Sequence, residues 1–217
     1  TGAYIDANTF HTTHGRPISF ATGLKLARPD LHVVVITGDG DCLAIGGNHL
    51  IHAARRNLDI TCLMLNNEVY GMTGGQVSPV TSESRLTTTT PAGNIEPAFD
   101  ACALAAAAGA GLVGREVTLQ TPALKNLIKD GLDYPGFVFL EIISDCTEIY
   151  GRKNDLGESP EMILSQKADM RPEAYHNTAE QPFRPNSMET GVLVRNERPE
   201  YGEVYRRHAA GLEKEGE

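Results

Sequence analysis

At 217 residues, the chain is long enough for one sizeable hydrophobic core, with room for an additional arm. Hydrophobic residues make up 41% and charged residues 22%, as in an ordinary globular protein. No apolar run approaches the roughly 18 residues of a membrane span, and the net charge of −9 disfavours nucleic acid as a partner. The four cysteines form no CxxC pair, so we expect a cytoplasmic protein without a disulfide scaffold. Because Thr1 stands where a methionine would begin a gene product, we expect a truncated N-terminus.

The region 1–145 alternates β-branched runs with helix-like stretches, and we predict that it forms one domain. Unbroken apolar runs such as LHVVVIT are typical of strands that are buried on both faces of a parallel sheet. The alternation predicts a doubly wound, parallel α/β sheet. Strands are predicted over 31–37, 60–65, 112–116 and 137–143, and helices over 18–27, 43–56, 96–108 and 119–129. Gly46 and Gly47 lie inside a predicted helix, where each costs ~1 kcal/mol relative to alanine, and this predicts close packing against that helix.

The region 146–217 differs from the first, because it is polar, contains prolines and has few aliphatic residues. We predict one helix over 159–170 and otherwise a polar C-terminal arm that packs on a partner subunit. Within the first region, the stretch 66–96 is rich in Gly, Ser, Thr and Pro. So long a connection inside a compact domain is typical of a functional loop or of disorder.

Polar residues follow two of the predicted strands, with GDGD at 38–41 and NNEVYG at 66–71. Between Gly40 and Asn66 lie 66 − 40 − 1 = 25 residues, enough for one crossover helix and one strand. Both strand ends should therefore lie side by side, where open α/β sheets bind their ligands. The Asp39 carboxylate, the Asn67 amide oxygen and the Val69 carbonyl are ligands suited to Mg²⁺.

Glycines in the first motif would let the backbone approach a diphosphate. A GDG alone is often only a turn, and GDGDCL lacks the third glycine of a dinucleotide-binding GxGxxG motif. The combination of GDG with NN at this spacing is much more specific than either part.

GDG followed after 25 residues by NN resembles the thiamine diphosphate motif of transketolases, pyruvate decarboxylases and 2-oxoacid dehydrogenases. Four longer stretches are similar to β subunits of 2-oxoacid:ferredoxin oxidoreductases: HTTHGRPISFATGLKLA, VVITGDGDCLAIGGNHLIHAARRN, LNNEVYGMTGGQVSP and CTEIYGRKN. The resemblance is dense over residues 1–155. GGNHLIHAARRN favours enzymes that act on 2-oxoglutarate, while pyruvate and branched-chain 2-oxoacids stay open.

This resemblance implies an oxidoreductase that decarboxylates a 2-oxoacid, forms an acyl-CoA from coenzyme A and reduces ferredoxin. Its partner would be an α subunit, and its cofactors thiamine diphosphate and Mg²⁺. Position by position, the Mg²⁺ ligands would be Asp39, Asn67 and the Val69 carbonyl. The residues lining the cofactor would be His14, Gly40, Asp41, Gly71 and Met72. No catalytic residue is assigned to this chain, because the family's essential glutamate comes from the partner subunit.

The resemblance also implies a [4Fe–4S] cluster held by four cysteines, of which Cys146 matches the last. The other three have no counterpart here, so the cluster is expected only with cysteines upstream of Thr1. We predict that Cys42, Cys62 and Cys102 are core residues.

Two alternatives stay open. One is a non-oxidative thiamine diphosphate enzyme, such as a decarboxylase or an acetolactate synthase. The other is a non-catalytic, flavodoxin-like module in which GDG is only a turn. Arg16 is the candidate by residue type for binding the second carboxylate of 2-oxoglutarate, although a structural role beside the cofactor loop is the stronger interpretation.

Overall fold

The computed structural model describes residues 3–169, 171–172 and 188–215. In chain order, its helices and strands are α1 (Pro17–Ala27), β1 (Val34–Gly38), α2 (Gly47–Arg56), β2 (Thr61–Asn66), β3 (Val69–Tyr70), β4 (Gln76–Val77), α3 (Ala101–Ala107), β5 (Leu112–Val117), α4 (Thr121–Asp133), β6 (Val138–Ile143), α5 (Ser159–Asp169), β7 (Arg171–Pro172), β8 (Glu189–Arg195) and α6 (Tyr201–Glu215). Two π-helical segments, Asp41–Ile45 and Thr147–Gly151, follow β1 and β6. No helix of the described ranges is both long and apolar enough to cross a membrane.

The central sheet has six strands in the order β1-β2-β6-β5-β8-β7. The first four are parallel, and Gly38, Leu65 and Ile142 lie side by side in its register. One hydrophobic cluster packs α1, α2 and α3 against one face, and a second packs α4 against the other. The predicted doubly wound α/β fold is confirmed, since helices cover both faces of a largely parallel sheet.

The C-terminal extension differs from its prediction in one respect. β8 pairs with β5 in the antiparallel direction, so residues 189–195 lie in this chain's own sheet and the sheet is mixed. Leu193 and Val194 are buried there. The sequence analysis did not predict this strand, because its short aliphatic run stands between charged residues and outside the alternation of strands and helices. Packing of the extension on a partner subunit stays a prediction, and residues 173–187 and 216–217 lie outside the described ranges.

Several predicted helices have different bounds in the structure; the helix predicted over 119–129, for example, is α4 (Thr121–Asp133). The helix predicted over 96–108 begins at Ala101, because the Asp100 side chain accepts a hydrogen bond from the Ala103 amide at 2.9 Å and caps the N-terminus. The helix predicted over 159–170 corresponds to α5, with residue 170 outside the described part of the chain.

The helix predicted over 43–56 is divided at Gly46 into a π-helical segment and α2. The Gly46 amide donates to the Asp41 carbonyl at 3.1 Å, and a Cβ on Gly46 would lie only 2.4 Å from that oxygen. Gly46 is therefore required by the π turn itself, and not by a neighbouring element. Around Gly47 a Cβ would meet no atom within 4 Å, so the close packing predicted there is wrong.

We predict that Leu193→Ala lowers the free energy of unfolding by about 2–5 kcal/mol, because Leu193 is fully buried in the main cluster. The matched control is Leu164→Ala on the exposed side of α5, which should change stability by less than about 0.5 kcal/mol. Chemical denaturation measures both variants. Equal, small effects would mean that β8 is not part of the core.

Candidate functional site

The carboxyl ends of β1 and β2 meet at the carboxylate of Asp39. This side chain is only 2% exposed. Its Oδ1 accepts a hydrogen bond from the Gly40 amide at 2.6 Å, and its Oδ2 accepts one from the Asn67 amide at 3.2 Å. One carboxylate thus joins the GDG turn to the NN turn, and the two motifs lie side by side as the spacing predicts.

Burial raises the pKa of Asp39 from its ordinary 3.8 to about 6, although the Gly40 and Asn67 amides lower it in part. Charging this group is therefore costly in the absence of a cation. The hydroxyl of Ser78 lies beside the same carboxylate and is buried without a hydrogen-bond partner of good geometry. A cation with its own bound oxygens would supply what both groups lack.

The turn after β2 brings three predicted site residues together. The Asn67 side-chain oxygen accepts a hydrogen bond from the Val69 amide at 3.3 Å, and Val69 begins the small β3–β4 hairpin. A Cβ on Gly71 would lie 3.7 Å from the Asn67 side-chain nitrogen and 3.6 Å from the Cys146 thiol. Cys146 follows β6, the neighbour of β2, so three strand ends contribute to one place. Met72, by contrast, is fully exposed.

Asp41 ties the segment before α1 to the end of β1. Its carboxylate accepts hydrogen bonds from the Gly15 amide and the Thr37 hydroxyl, both at 2.6 Å. The His14 Nδ1 lies 2.5 Å from the same carboxylate, while the His14 side chain is 56% exposed. The structure therefore places His14 and Asp41 in contact, with the imidazole at the open side of the site.

Tyr70 is a site residue that the sequence analysis did not identify. Its hydroxyl donates to the Gly40 carbonyl at 2.8 Å, and its ring occupies the space of a Cβ on Gly40, at 2.3 Å. Burial raises the pKa of Tyr70, which keeps the phenol neutral and able to donate. Tyr70 directly follows the predicted ligand Val69, and this position in the sequence could have identified it as a site residue.

Arg16 has a structural role in this conformation. Its guanidinium donates to the carbonyls of Gly15 and Ile45, at 3.2 and 3.1 Å, and so connects the start of α1 to the π-helical segment. These contacts favour the structural interpretation of Arg16 over substrate binding.

The long stretch after β2 is ordered against the strand ends. The hydroxyl of Thr81 donates to the Glu68 carbonyl at 2.6 Å, and that of Ser82 to the Glu68 side chain at 2.9 Å. Asn94 in turn donates to the Thr81 carbonyl at 2.8 Å. The loop therefore holds Glu68 by both its backbone and its side chain, and it fixes the turn that carries Asn67.

The cysteines divide as the sequence predicts. Cys42, Cys62 and Cys102 are buried in the main hydrophobic cluster, while Cys146 is half-buried. Burial raises the pKa of the Cys102 thiol, as expected for an inert core residue. In the described ranges, no three His, Cys, Asp or Glu side chains form a metal-binding group.

Residues 1–142 match the family model of the thiamine pyrophosphate enzymes, C-terminal TPP binding domain. The chain belongs to the thiamine pyrophosphate enzyme family. The match covers every strand and loop that contributes to the site except the turn after β6. Thiamine pyrophosphate is the same molecule as the predicted thiamine diphosphate, so that cofactor is confirmed for this domain.

Within this family, the chain is 53% identical over 160 residues to the 2-oxoglutarate synthase subunit KorB of Methanocaldococcus jannaschii, covering 74% of this chain and 59% of the relative. It is 45% identical over 143 residues to the 2-oxoglutarate oxidoreductase subunit KorB of Mycobacterium tuberculosis, covering 66% and 38%. These matches confirm the resemblance to β subunits of 2-oxoacid:ferredoxin oxidoreductases. The chain spans somewhat more than half the length of the first relative.

A solved structure supports the same grouping. The 2-oxoglutarate:ferredoxin oxidoreductase of Magnetococcus marinus, with 2-oxoglutarate, coenzyme A and succinyl-CoA bound, superimposes with a TM-score of 0.83 at 27% identity. The superposition covers 97% of this chain and 72% of that one.

We predict that Asp39→Asn gains stability relative to the wild type as the pH rises from 4 to 7.5 in the metal-free protein. Because the pKa of Asp39 is raised on folding, its protonation favours the folded state, and this contribution is lost as the pH rises through about 6. At about 1.4 kcal/mol per pKa unit, the neutral asparagine should gain about 2–3 kcal/mol over this range. The gain is added to a loss that does not depend on pH, because the asparagine nitrogen faces one of the two backbone amides that donate to Asp39. Denaturant titrations in EDTA at both pH values measure the change. A difference between variant and wild type that is the same at both pH values would contradict the assigned cost of burying the charge.

Proposed function

We propose that this chain is the thiamine diphosphate-binding β subunit of a 2-oxoacid:ferredoxin oxidoreductase that acts on 2-oxoglutarate. The observation that carries the proposal is the junction of Asp39 with Asn67 at two strand ends of a thiamine pyrophosphate-binding domain. The names of the relatives, which are 2-oxoglutarate synthase and oxidoreductase subunits, support the substrate. The bound 2-oxoglutarate in the Magnetococcus marinus enzyme supports it too.

In this proposal, Mg²⁺ is held by the Asp39 carboxylate, the Asn67 side-chain oxygen and the Val69 carbonyl. Mg²⁺ prefers oxygen ligands and shares them with substrate phosphates. The residues fit such an ion, since the buried Asp39 carboxylate has backbone amides as its hydrogen-bond donors and the adjacent Ser78 hydroxyl lacks a partner. Binding of Mg²⁺ would lower the cost of the ionised carboxylate.

The remaining predicted residues would line the cofactor. Gly71 presents backbone without a side chain, which leaves room for a diphosphate. The space in front of Gly40 is taken by the Tyr70 ring, whose hydroxyl fixes the Gly40 carbonyl, so Gly40 would contribute its backbone only. Asp41 and His14 hold the loop before α1 at the site's open side. The exposed Met72 would contact the thiazolium ring or the neighbouring subunit.

When bound, thiamine diphosphate supplies the carbanion that attacks a 2-oxo carbon and the electron sink for loss of carbon dioxide. The residues of this chain bind and orient. Asp39 and Asn67 would fix the diphosphate end of the cofactor. The ordered loop after β2 holds the backbone of Glu68, which lies between Asn67 and the β3–β4 hairpin. We assign no proton-transfer role to this chain, because the side chain of Glu68 is held by Ser82.

The proposed partners are an α subunit, ferredoxin, coenzyme A and the 2-oxoacid. They are supported by the naming of the relatives as subunits and by coenzyme A in the Magnetococcus marinus structure. Of the two alternatives, the family match disfavours a flavodoxin-like module, and the named relatives favour the oxidoreductase over a non-oxidative enzyme.

Cys146 is proposed as one ligand of a [4Fe–4S] cluster in the natural protein. Its half-buried thiol lies next to Gly71, near the proposed cofactor site, where an electron acceptor is needed. Thiolates are the usual ligands of such clusters. The other three cysteines of this sequence are core residues, so the remaining ligands would come from other parts of the complex or chain.

We predict that Asp39→Ala and Asn67→Ala each abolish Mg²⁺-dependent thiamine diphosphate binding, because each removes a metal ligand. Asp39→Asn should be milder, since it keeps an oxygen. Calorimetric titration of the native complex, purified through a tag on this chain, measures the affinity. Matched controls are Asp133→Ala and Asn126→Ala, which change exposed side chains on α4 and should bind normally. Unchanged affinity in both site variants would reject the metal assignment.

We also predict that Cys146→Ser removes or destabilises the cluster in the native complex, with a loss of about four irons per chain and of its visible absorbance. Cys102→Ser is the matched control, because serine keeps a donor toward Glu141 in the core and should leave the iron content unchanged. A full iron complement in the Cys146→Ser protein would show that the ligand lies elsewhere.

A further inference from the structure

A buried ionic cluster lies beneath the site, between β5, β6 and the start of α3. The Arg115 side chain donates from Nε to Glu141 at 2.6 Å and from a terminal nitrogen to Asp100 at 3.0 Å. The side chains of all three residues are at most 7% exposed. Although burial alone lowers the pKa of Arg115, its neighbours Cys102, Glu141 and Asp100 raise it beyond its ordinary value, so the guanidinium stays charged.

Stability alone does not account for this cluster. Replacing a buried ion pair with well-packed apolar residues is often neutral or stabilising, because removing two charges from water is expensive. Glu141 stands in the otherwise apolar strand FVFLEII, and Arg115 in LVGREV. Arg115 and Glu141 lie directly opposite each other on the adjacent parallel strands β5 and β6. The cluster therefore calls for a role other than packing.

That role is suggested by the second oxygen of Glu141, which accepts a hydrogen bond from the Asn66 side-chain nitrogen at 2.8 Å. A carboxylate only accepts hydrogen bonds, so it fixes the orientation of the Asn66 amide group. The Asn66 side-chain oxygen is thereby turned toward the Glu68 amide, from which it accepts at 3.0 Å. Asn66 thus connects the ionic cluster to the turn at Glu68 through hydrogen bonds.

The turn that receives this hydrogen bond is strained. Glu68 has a φ of 62°, a left-handed conformation that costs a residue other than glycine roughly 1–2 kcal/mol. It stands between Asn67 and Val69, which supply two of the three proposed Mg²⁺ ligands. The loop after β2 holds the Glu68 carbonyl and side chain, and Asn66 holds the Glu68 amide. Without the contact to the amide, the first half of the turn can relax toward an ordinary conformation and separate these oxygens.

We propose that Arg115, Glu141 and Asn66 form a positioning relay that holds the metal-binding turn in its strained conformation. The proposal rests on the proposed function, since it assumes that the turn binds Mg²⁺. Glu141 is not among the proposed metal ligands, and in this proposal it acts through its hydrogen bond with Asn66. In the NN motif, the second asparagine then provides the ligand, and the first fixes the backbone that presents it.

Glu141→Gln tests the relay, because glutamine offers one acceptor and one donor where two acceptors are needed. Its oxygen should face the charged Arg115, so that its amide nitrogen faces Asn66. Asn66 must then turn its own oxygen toward the new glutamine and its nitrogen toward the Glu68 amide, which leaves the turn uncapped. The Mg²⁺ concentration for half-maximal thiamine diphosphate binding should rise about 10- to 100-fold, as for other residues that orient metal ligands.

A second substitution should reverse this loss. In the double variant Glu141→Gln with Asn66→Asp, the new aspartate accepts from both the new glutamine and the Glu68 amide, and the total charge is unchanged. We expect most of the Mg²⁺ affinity to return. Asn66→Asp alone places two carboxylates face to face and should be impaired. Leu140→Ala, on the same strand but in the cluster on the other face, should lower the melting temperature without changing the Mg²⁺ dependence.

The measurements are made on the native complex, with thermal melting alongside Mg²⁺ titration. Normal Mg²⁺ dependence in Glu141→Gln would overturn the relay while leaving the proposed function intact. A loss in Glu141→Gln that the double variant does not reverse would also overturn it, since general destabilisation would then explain the effect. A wild-type complex that binds no Mg²⁺–thiamine diphosphate would instead reject the proposed function.

Discussion

The site depends on the in-register parallel pairing of β1 with β2. This register places Gly38 beside Leu65, so the chain leaves the sheet at Asp39 after β1 and at Asn67, after Asn66 at the end of β2. The carboxylate of Asp39 then closes the junction by accepting the Asn67 amide. Because side chains alternate between the two faces of a strand, a slip by one residue would turn the apolar residues of β1 to the wrong face and separate the two motifs.

Two buried negative charges lie close to this junction, and the structure treats them differently. Glu141 is paired with Arg115, so its charge is compensated within the protein. Asp39 has only backbone amides and an unpartnered hydroxyl nearby, and its pKa is raised to about 6 by burial. A fold selected for stability alone would avoid the second arrangement. The unpaired environment of Asp39 fits the proposed Mg²⁺ site, in which a bound ion would supply the positive charge.

The loop after β2 and the C-terminal extension complete the frame around the site. The Thr81 hydroxyl in the loop donates to the Glu68 carbonyl, while the Asn66 side chain accepts from the Glu68 amide. β8 adds an antiparallel strand beside β5, the strand that carries Arg115, and so covers an edge that would otherwise be open. The position of the turn proposed to bind Mg²⁺ thus depends on residues spread over much of the chain.

The sequence by itself determined the α/β class, the four parallel strands and the meeting of the GDG and NN turns. These follow from local apolar runs and from a spacing that permits only one crossover, and the resemblance named the family on the same residues. Only the tertiary structure decided that β8 joins the sheet, that Gly46 serves a π turn, and that Tyr70 packs on Gly40. It also connected Glu141 with Asn66, which are 75 residues apart. Charged residues inside FVFLEII and LVGREV signalled a buried network, but their partners are set by how neighbouring strands and helices pack, and no local pattern encodes that arrangement.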